Sequence, residues 1–216
     1  MKIFVTGATG FLGRSLIPRL LAHGHDVTSL ARPGSAGRLP AGCRALIGDV
    51  LSADTYEAAV RGMDCLVHLT GVAHPNPAKA RQFIEVDLAS ARTAIAVAVQ
   101  SGVKHFVYLS VAQPAPVMRA YVEVRRQGEE MLRASGLAVT IVRPWYVLGP
   151  GRRWPYVLLP AWWLVQLLPG MRKLTERFGF VTLEEMTASL VHAIERLPQG
   201  IRVIEVPEIR RMKDEG

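Results

Sequence analysis

Three glycines spaced three residues apart, Gly7, Gly10 and Gly13, stand between an apolar run, Lys2 to Thr6, and a helix-like stretch that begins at Phe11. The chemistry of such a turn is the holding of a pyrophosphate. Gly7 permits the tight exit from a strand, Gly10 lets the backbone approach a phosphate with no Cβ between, and Gly13 lets the next helix pack closely on the strand. The helix N-terminus adds N–H groups that have no partner within the helix. Thr9, Phe11 and Leu12 complete the turn, so residues 7 and 9 to 13 are the first candidates for contact with a nucleotide. A plain strand-to-helix turn is the alternative, and the strand-before, helix-after context counts against it.

The elements that must position this turn follow a regular alternation. Strand-like runs at Lys2 to Thr6, Asp26 to Leu30, Arg44 to Ile47, Cys65 to Leu69, His105 to Leu109 and Val139 to Val142 alternate with helical stretches at 11–22, 53–61, 80–100 and 118–134. The pattern predicts an α/β fold: a Rossmann-like, doubly wound parallel sheet. Gly24, Gly62, Gly102 and Gly136 follow the helices as stop signals. Pro18 falls inside the first helix and is expected to bend or loosen it. After Pro150-Gly151 the pattern changes. Residues 1–150 read as the nucleotide-binding core, and residues 151–216 as a small C-terminal lobe of the same domain with a helix at about Leu183 to Arg196 and a last strand at Arg202 to Val206.

The 216 residues are 50% hydrophobic and 20% charged, enough for one sizeable core. The formal net charge of +8 favours an anionic partner. No zinc-ligand spacing, helix-turn-helix cue or aromatic-basic RNA-binding strand accompanies it, so specific nucleic-acid binding is not expected and a phosphorylated cofactor is the simpler anion. Cys43 and Cys65 have no metal or redox spacing and read as buried thiols of a reducing compartment. Met1 runs directly into the first strand, leaving no room for a signal peptide, so a cytoplasmic location is expected.

Residues 154–169 carry aromatic bulk flanked by Arg152, Arg153, Arg172 and Lys173. This segment is either a peripheral membrane or protein contact or an amphipathic helix over the cleft; it is too short and too interrupted by Pro160 to span a bilayer. His74 reads as a loop residue near the expected crevice.

The motifs Thr6-Gly-Ala-Thr-Gly-Phe-Leu-Gly13, Gly48-Asp-Val50, His68-Leu-Thr-Gly-Val-Ala73, Gly102-Val-Lys-His-Phe-Val-Tyr-Leu-Ser110, Tyr121, Val142-Arg-Pro144, Gly149-Pro-Gly151 and Phe180-Val-Thr-Leu-Glu-Glu185 together resemble the short-chain dehydrogenase/reductase superfamily. The resemblance is to its extended and atypical branches, which include epimerase/dehydratase-like proteins and the nucleotide-binding accessory subunit of respiratory complex I. It implies that Asp49 and Val50 meet the adenosine and that Leu69, Thr70, Gly71 and Pro144 line the cofactor crevice. The second strand would end in an acid in an NAD-selective fold, and here Ala31 is followed by Arg32, which can pair with a 2′-phosphate. NADP is the expected cofactor, with NAD the alternative. Arg14 either adds charge near the phosphates or faces solvent, and Asp49 either meets adenosine or caps a turn.

Active members of the superfamily use a tyrosine as proton donor, a lysine one helical turn later and a serine at the end of the preceding strand. Tyr121 keeps the first position. Arg125 replaces the lysine at the i, i+4 spacing that places both on one helix face, preserving charge with a wider, planar head. Val111 stands at the serine position, beside Ser110, with Gln113 as a substitute donor. Asp87 stands where a structural asparagine is usual. The expected function is therefore an NADP(H)-binding, atypical dehydrogenase/reductase-like protein that moves hydride to or from a small carbonyl, hydroxyl or quinone-like substrate, with Tyr121, Arg125 and Ser110 as catalytic candidates. The alternative is a non-catalytic dinucleotide sensor or scaffold that docks a partner or membrane surface.

Overall fold

The computed structural model describes residues 1–115, 117–150 and 178–212. The expected membrane, partner or cleft-covering segment at 154–169 lies outside the described residues. Seven parallel strands form the main sheet: β1 Lys2–Thr6, β2 Asp26–Ala31, β3 Arg44–Ile47, β4 Cys65–His68, β5 His105–Leu109, β6 Ala138–Arg143 and, as its last strand, Ile201–Glu205. A separate parallel pair, β7 Tyr146–Leu148 and β8 Phe180–Thr182, lies outside that sheet, so the last strand is β9. The order β3-β2-β1-β4-β5-β6-β9 reverses direction between β1 and β4. That is the switch point at which an open α/β sheet opens a ligand crevice beyond its strand C-termini. The doubly wound Rossmann fold expected from the alternation is the fold observed.

The helices are α1 Gly13–Ala22, α2 Glu57–Val60, α3 Ala80–Gln82, α4 Ala89–Gln100, α5 Arg119–Ala134, α6 Leu183–Glu195 and α7 Val206–Ile209. The four glycine stops all adopt positive φ, from +67° at Gly102 to +76° at Gly24 and Gly62, as a left-handed helix C-terminus requires. Helix α1 runs through Pro18 to Ala22. The stretch at 80–100 is continuous, but Phe83–Leu88 is wound as a π-helix; the wider turn carries Asp87 to a fully buried position. The segment at 53–61 divides into a short 3-10 turn and α2.

Strand alternation separates two cores. Ile3, Val5, Val67 and Val107 face α1 and α6, while Phe4, Leu66, Phe106 and Tyr108 face α4 and α5. Strand β9 pairs with β6, and α6 shares the first core with α1. The described part of 178–212 thus completes the same sheet. Thr182 and Glu185 close a reciprocal capping box that starts α6. Cys65 is buried and Cys43 partly so. No described helix is long and apolar enough to cross a membrane.

Two histidines lie inside these cores. His68, with no exposure, sits between Thr6 Oγ1 at 2.9 Å and Ser90 Oγ at 3.4 Å; His105 contacts Thr140 Oγ1 at 2.9 Å. Burial, aided by the Arg125 charge, pushes His68 down to about 3, and burial pushes His105 down to about 4. Both are lowered below the unfolded value, so the unfolded chain takes up protons first as pH falls. Stability is full above about pH 6.5 and should drop between pH 6.5 and 5 by about 1.4 kcal/mol per pH unit for each histidine. Urea unfolding midpoints at the two pH values check this. His68→Asn, which cannot charge, should remove about half of the difference, and equal wild-type midpoints would refute the assignment.

Candidate functional site

Because all seven strands of the main sheet are parallel, every loop that leaves a strand C-terminus lies at one edge of it. Topology therefore brings together the turn after β1, Arg32 after β2, Asp49 and Val50 after β3, Leu69 to Gly71 after β4, Ser110 after β5 and Pro144 after β6.

At the first turn Gly7 has φ +74°, and a Cβ there would lie 2.7 Å from Leu69 C and Thr70 N. The glycine thus serves both the turn and the contact of β1 with β4 across the switch point. Gly10 is exposed, and an added Cβ would meet only Gly7 O, at 3.1 Å, leaving its other side open to a ligand. Gly13 corrects the sequence reading in detail. A Cβ there would come within 2.5 Å of Ala8 backbone, so the close approach is to the turn itself and not to a strand. Thr9, Phe11 and Leu12 are partly buried, and a Cβ on Gly149 would strike the Phe11 ring at 2.7 Å. Helix α1 has no side-chain cap and no acid in its first turn. An uncapped, acid-free N-terminus next to a glycine cradle is the arrangement a phosphate needs.

Ala31 is buried and Arg32 is exposed, with backbone in the extended region. Its guanidinium makes no hydrogen bond or ion pair among the described residues, whereas its carbonyl accepts from Ser35 N–H and Oγ–H. Arg14 is also exposed. Asp49 accepts the Leu51 N–H at 3.0 Å through Oδ1, the turn role weighed from its sequence, and remains exposed. Val50 is half-buried beside it; Leu69 and Pro144 are buried, and the Pro144 carbonyl accepts from Ala112 N–H at 2.9 Å. His74 lies exposed in its loop.

The catalytic candidates divide between two places. Tyr121 and Arg125 share one face of α5, with the guanidinium carbon 5.3 Å from the Tyr121 ring centroid and the ring edge-on to Phe83. Tyr121 is half-buried, and its hydroxyl has no hydrogen bond among the described residues. Arg125 is 2% exposed. It donates to Asp87 Oδ1 at 2.6 Å, to Leu109 O at 2.9 Å and to Thr70 O at 3.3 Å, while Asp87 Oδ2 accepts Val72 N–H. Burial pulls Arg125 toward losing its proton, but Tyr121, Tyr108 and Asp87 outweigh it, so the guanidinium stays charged. A Cβ on Gly71 would fall 2.3 Å from Arg125 Nη2, which fixes glycine at that point of the crevice loop.

Ser110 and Val111 are both buried. Ser110 Oγ donates to Glu129 Oε1 at 2.6 Å, away from Arg125. Glu129 also accepts from Gln113, Arg133 and Arg143, and Arg143 reaches on to Glu205. Burial raises the Glu129 carboxyl, but these donors hold it below the usual carboxylate range. Sequence reasoning missed Glu129 as the centre of this network. Its neighbour Gly128 was the available signal. A glycine inside a helix is unfavourable, and here a Cβ would meet Tyr108 Oη at 2.4 Å. A cavity of about 600 Å³ opens beside this network, lined by Gln113, Arg119, Val122, Glu123, Arg126 and Arg143 among others.

Comparison with known proteins places the chain in an NAD(P)H-binding family. A family profile described as NAD(P)H-binding matches residues 7–156. A ceramide reductase of Caulobacter vibrioides is 28% identical over 211 residues, covering 97% of this chain and 65% of the relative. A 4-hydroxy-2-methyl-3-oxo-4-farnesyl-3,4-dihydroquinoline-1-oxide ketoreductase of Stigmatella aurantiaca is 25% identical, covering 89% of this chain and 61% of the relative. The chain thus spans less than two thirds of the length of these curated relatives. Among solved structures, a UDP-glucose 4-epimerase of Thermotoga maritima superposes with a TM-score of 0.71 at 17% identity, covering 95% of this chain and 77% of that one. The Thermus thermophilus UDP-glucose 4-epimerase in complex with NAD gives a TM-score of 0.69 at 20% identity, covering 97% and 81%.

Proposed function

From the premise that this chain belongs to the NAD(P)H-binding family and has the fold of the short-chain dehydrogenase/reductase superfamily, we propose that it is an NADP(H)-dependent oxidoreductase acting on a small carbonyl, hydroxyl or quinone-like substrate. The observation that carries the reading is Tyr121, half-exposed with its hydroxyl unengaged by the described residues and backed by a permanent cation at 5.3 Å, on the same sheet edge as the glycine cradle. Reductase names among the relatives point to the same reaction class.

In this reading Gly7, Gly10 and Gly13 with the α1 N-terminus hold the pyrophosphate, Asp49 and Val50 flank the adenosine, and Leu69 to Gly71 with Pro144 form the crevice wall. The cofactor, when bound, supplies the hydride donor or acceptor. Tyr121 gives or takes the substrate oxygen's proton through Oη. Arg125 is a positioning residue: its buried head ties Thr70 and Leu109 to α5 and backs the tyrosine ring, in place of holding a ribose as a lysine would. Ser110 positions α5 through Glu129. Arg32 selects the 2′-phosphate, since a free guanidinium there favours it and no acid repels it.

Calorimetry with NADPH and NADH tests the selectivity. The wild type should bind NADPH more tightly, and Arg32→Ala should weaken NADPH by roughly tenfold, about 1.4 kcal/mol, while leaving NADH nearly unchanged. Equal NADPH affinity in both proteins would remove the assignment. In any carbonyl-reduction assay where the wild type turns over, Tyr121→Phe should abolish the rate while preserving NADPH affinity.

A second reading, a dinucleotide-dependent sensor or scaffold, is favoured by one observation. Val111 occupies the serine position and Ser110 is bound to Glu129, so neither supplies a free hydroxyl to orient a carbonyl. NADPH binding without turnover across carbonyl and quinone substrates would select it.

A further inference from the structure

At the opposite edge of the sheet from the cradle, where β1 and β2 begin, two histidines and a glutamate converge. His23 Nδ1 and His25 Nε2 each lie 3.0 Å from Glu195 Oε1, and the three ligand atoms all fall within 4.8 Å of one another. We propose that His23, His25 and Glu195 form a binding site for a divalent transition-metal ion of the Zn²⁺ class.

The placement is built by the fold. His23 ends α1, Gly24 takes φ +76°, and the turn is closed by Gly24 N–H to Leu21 O and His25 N–H to Leu20 O, both at 3.0 Å. This paired closure of a helix C-terminus fixes the backbone on both sides of the glycine. The two rings are thereby turned toward the same point, with centroids 6.3 Å apart. Glu195 is the last residue of α6, which packs on α1 through the common core. Two chain segments 170 residues apart thus supply the donors, and an ion between them would tie α6 to the α1–β2 turn.

The donor set has the right chemistry. Two imidazole nitrogens and one carboxylate are a recurring zinc set with a position left for water. A tetrahedral ion with bonds of about 2.0–2.1 Å holds its ligands about 3.3 Å apart, so each nitrogen–oxygen pair needs only a small opening. His25 is largely covered, with 9% side-chain exposure, while His23 at 43% and Glu195 at 36% leave an entry path. His25 Nδ1, which points away from the site, meets the Met1 amino group at 3.4 Å. The competing account is a metal-free contact in which the two imidazoles simply hold the carboxylate.

The experiment uses the full chain without an affinity tag, titrated calorimetrically with Zn²⁺ near pH 7.5, with Co²⁺ absorption as a second readout. One ion per chain, a tetrahedral Co²⁺ spectrum and a metal-dependent rise in Tm are expected. Loss of groups one step removed from a metal already costs 10–100-fold in affinity, so His23→Ala and Glu195→Gln should each weaken binding at least about tenfold and abolish the Tm response. Both positions are exposed enough for the variants to fold, which their metal-free Tm and NADPH affinity verify. Absence of Zn²⁺ binding, or binding unchanged in both variants, would overturn the proposal and leave the metal-free contact.

Discussion

Asp87→Asn should lower the unfolding free energy by about 3 kcal/mol, and Arg125→Lys alone by a comparable amount, while the double variant should lose clearly less than the sum. Asp87 is fully buried and Arg125 is 2% exposed, joined at 2.6 Å. Removing the carboxylate charge leaves a guanidinium without its counter-ion in a low-dielectric interior, where an unpaired charge is most costly. A lysine in place of Arg125 cannot span Asp87, Leu109 O and Thr70 O from one ammonium, and leaves Asp87 poorly satisfied. Combining Asp87→Asn with Arg125→Lys would restore the pair usual in the resembling superfamily, a neutral side chain facing a compact cation. Urea denaturation of the four proteins should give a coupling of about 1–3 kcal/mol. Zero coupling would mean that the two positions act separately. NADPH affinity should fall with the single variants, because Arg125 also anchors the carbonyl of Thr70 in the crevice loop.

Gly7→Ala should cost NADPH affinity at least about 30-fold, a change of about 2 kcal/mol, together with measurable loss of fold stability. A left-handed backbone costs a non-glycine residue about 1–2 kcal/mol. In addition, the new Cβ would sit 2.7–2.8 Å from Leu69 C, Leu69 O and Thr70 N. These are backbone atoms that cannot rotate away, so β1 and β4 must part at the switch point. Gly10→Ala is the contrast. Gly10 has no positive φ and an added Cβ would meet only Gly7 O, at 3.1 Å, so fold stability should fall less than in Gly7→Ala while a methyl group on the exposed turn weakens binding. Thermal unfolding and NADPH titration of both variants separate the two effects. A Gly7→Ala protein that binds as the wild type does would show that the β1–β4 contact can relax.

The parallel sheet and its helices were legible because each rests on a local signal: apolar runs of strand length, helical stretches and glycine stops. The six strand-like runs before residue 150 are all observed as strands of the main sheet, with ends shifted by a residue or so. The π-wound segment was not legible, since its residues, Phe83 to Leu88, carry the same apolar spacing as an ordinary helix. That segment sets the burial of Asp87, and with it the partner of Arg125. Asp87 and Arg125 stood in the sequence as two separate departures from a familiar pattern, 38 residues apart. Their pairing emerges only where β4, β5 and α5 meet. Glu129 was silent for a similar reason: a glutamate on a helix with Glu123, Arg126, Glu130 and Arg133 nearby reads as part of a solvated charged face, yet α5 turns it inward to Ser110 and Arg143.

By itself the sequence determined the glycine turn after β1, because Gly7, Gly10 and Gly13 stand between a strand signal and a helix signal, and the Rossmann fold, because the alternation of periodicities is written along the chain. It also determined which charge follows β2. Only the tertiary structure decided what the remaining polar residues do. Whether Arg125 meets a ribose or an aspartate, whether Ser110 faces a substrate or Glu129, and whether His23, His25 and Glu195 meet at all depend on which side chains long-range packing brings within hydrogen-bonding distance. No local propensity encodes that distance.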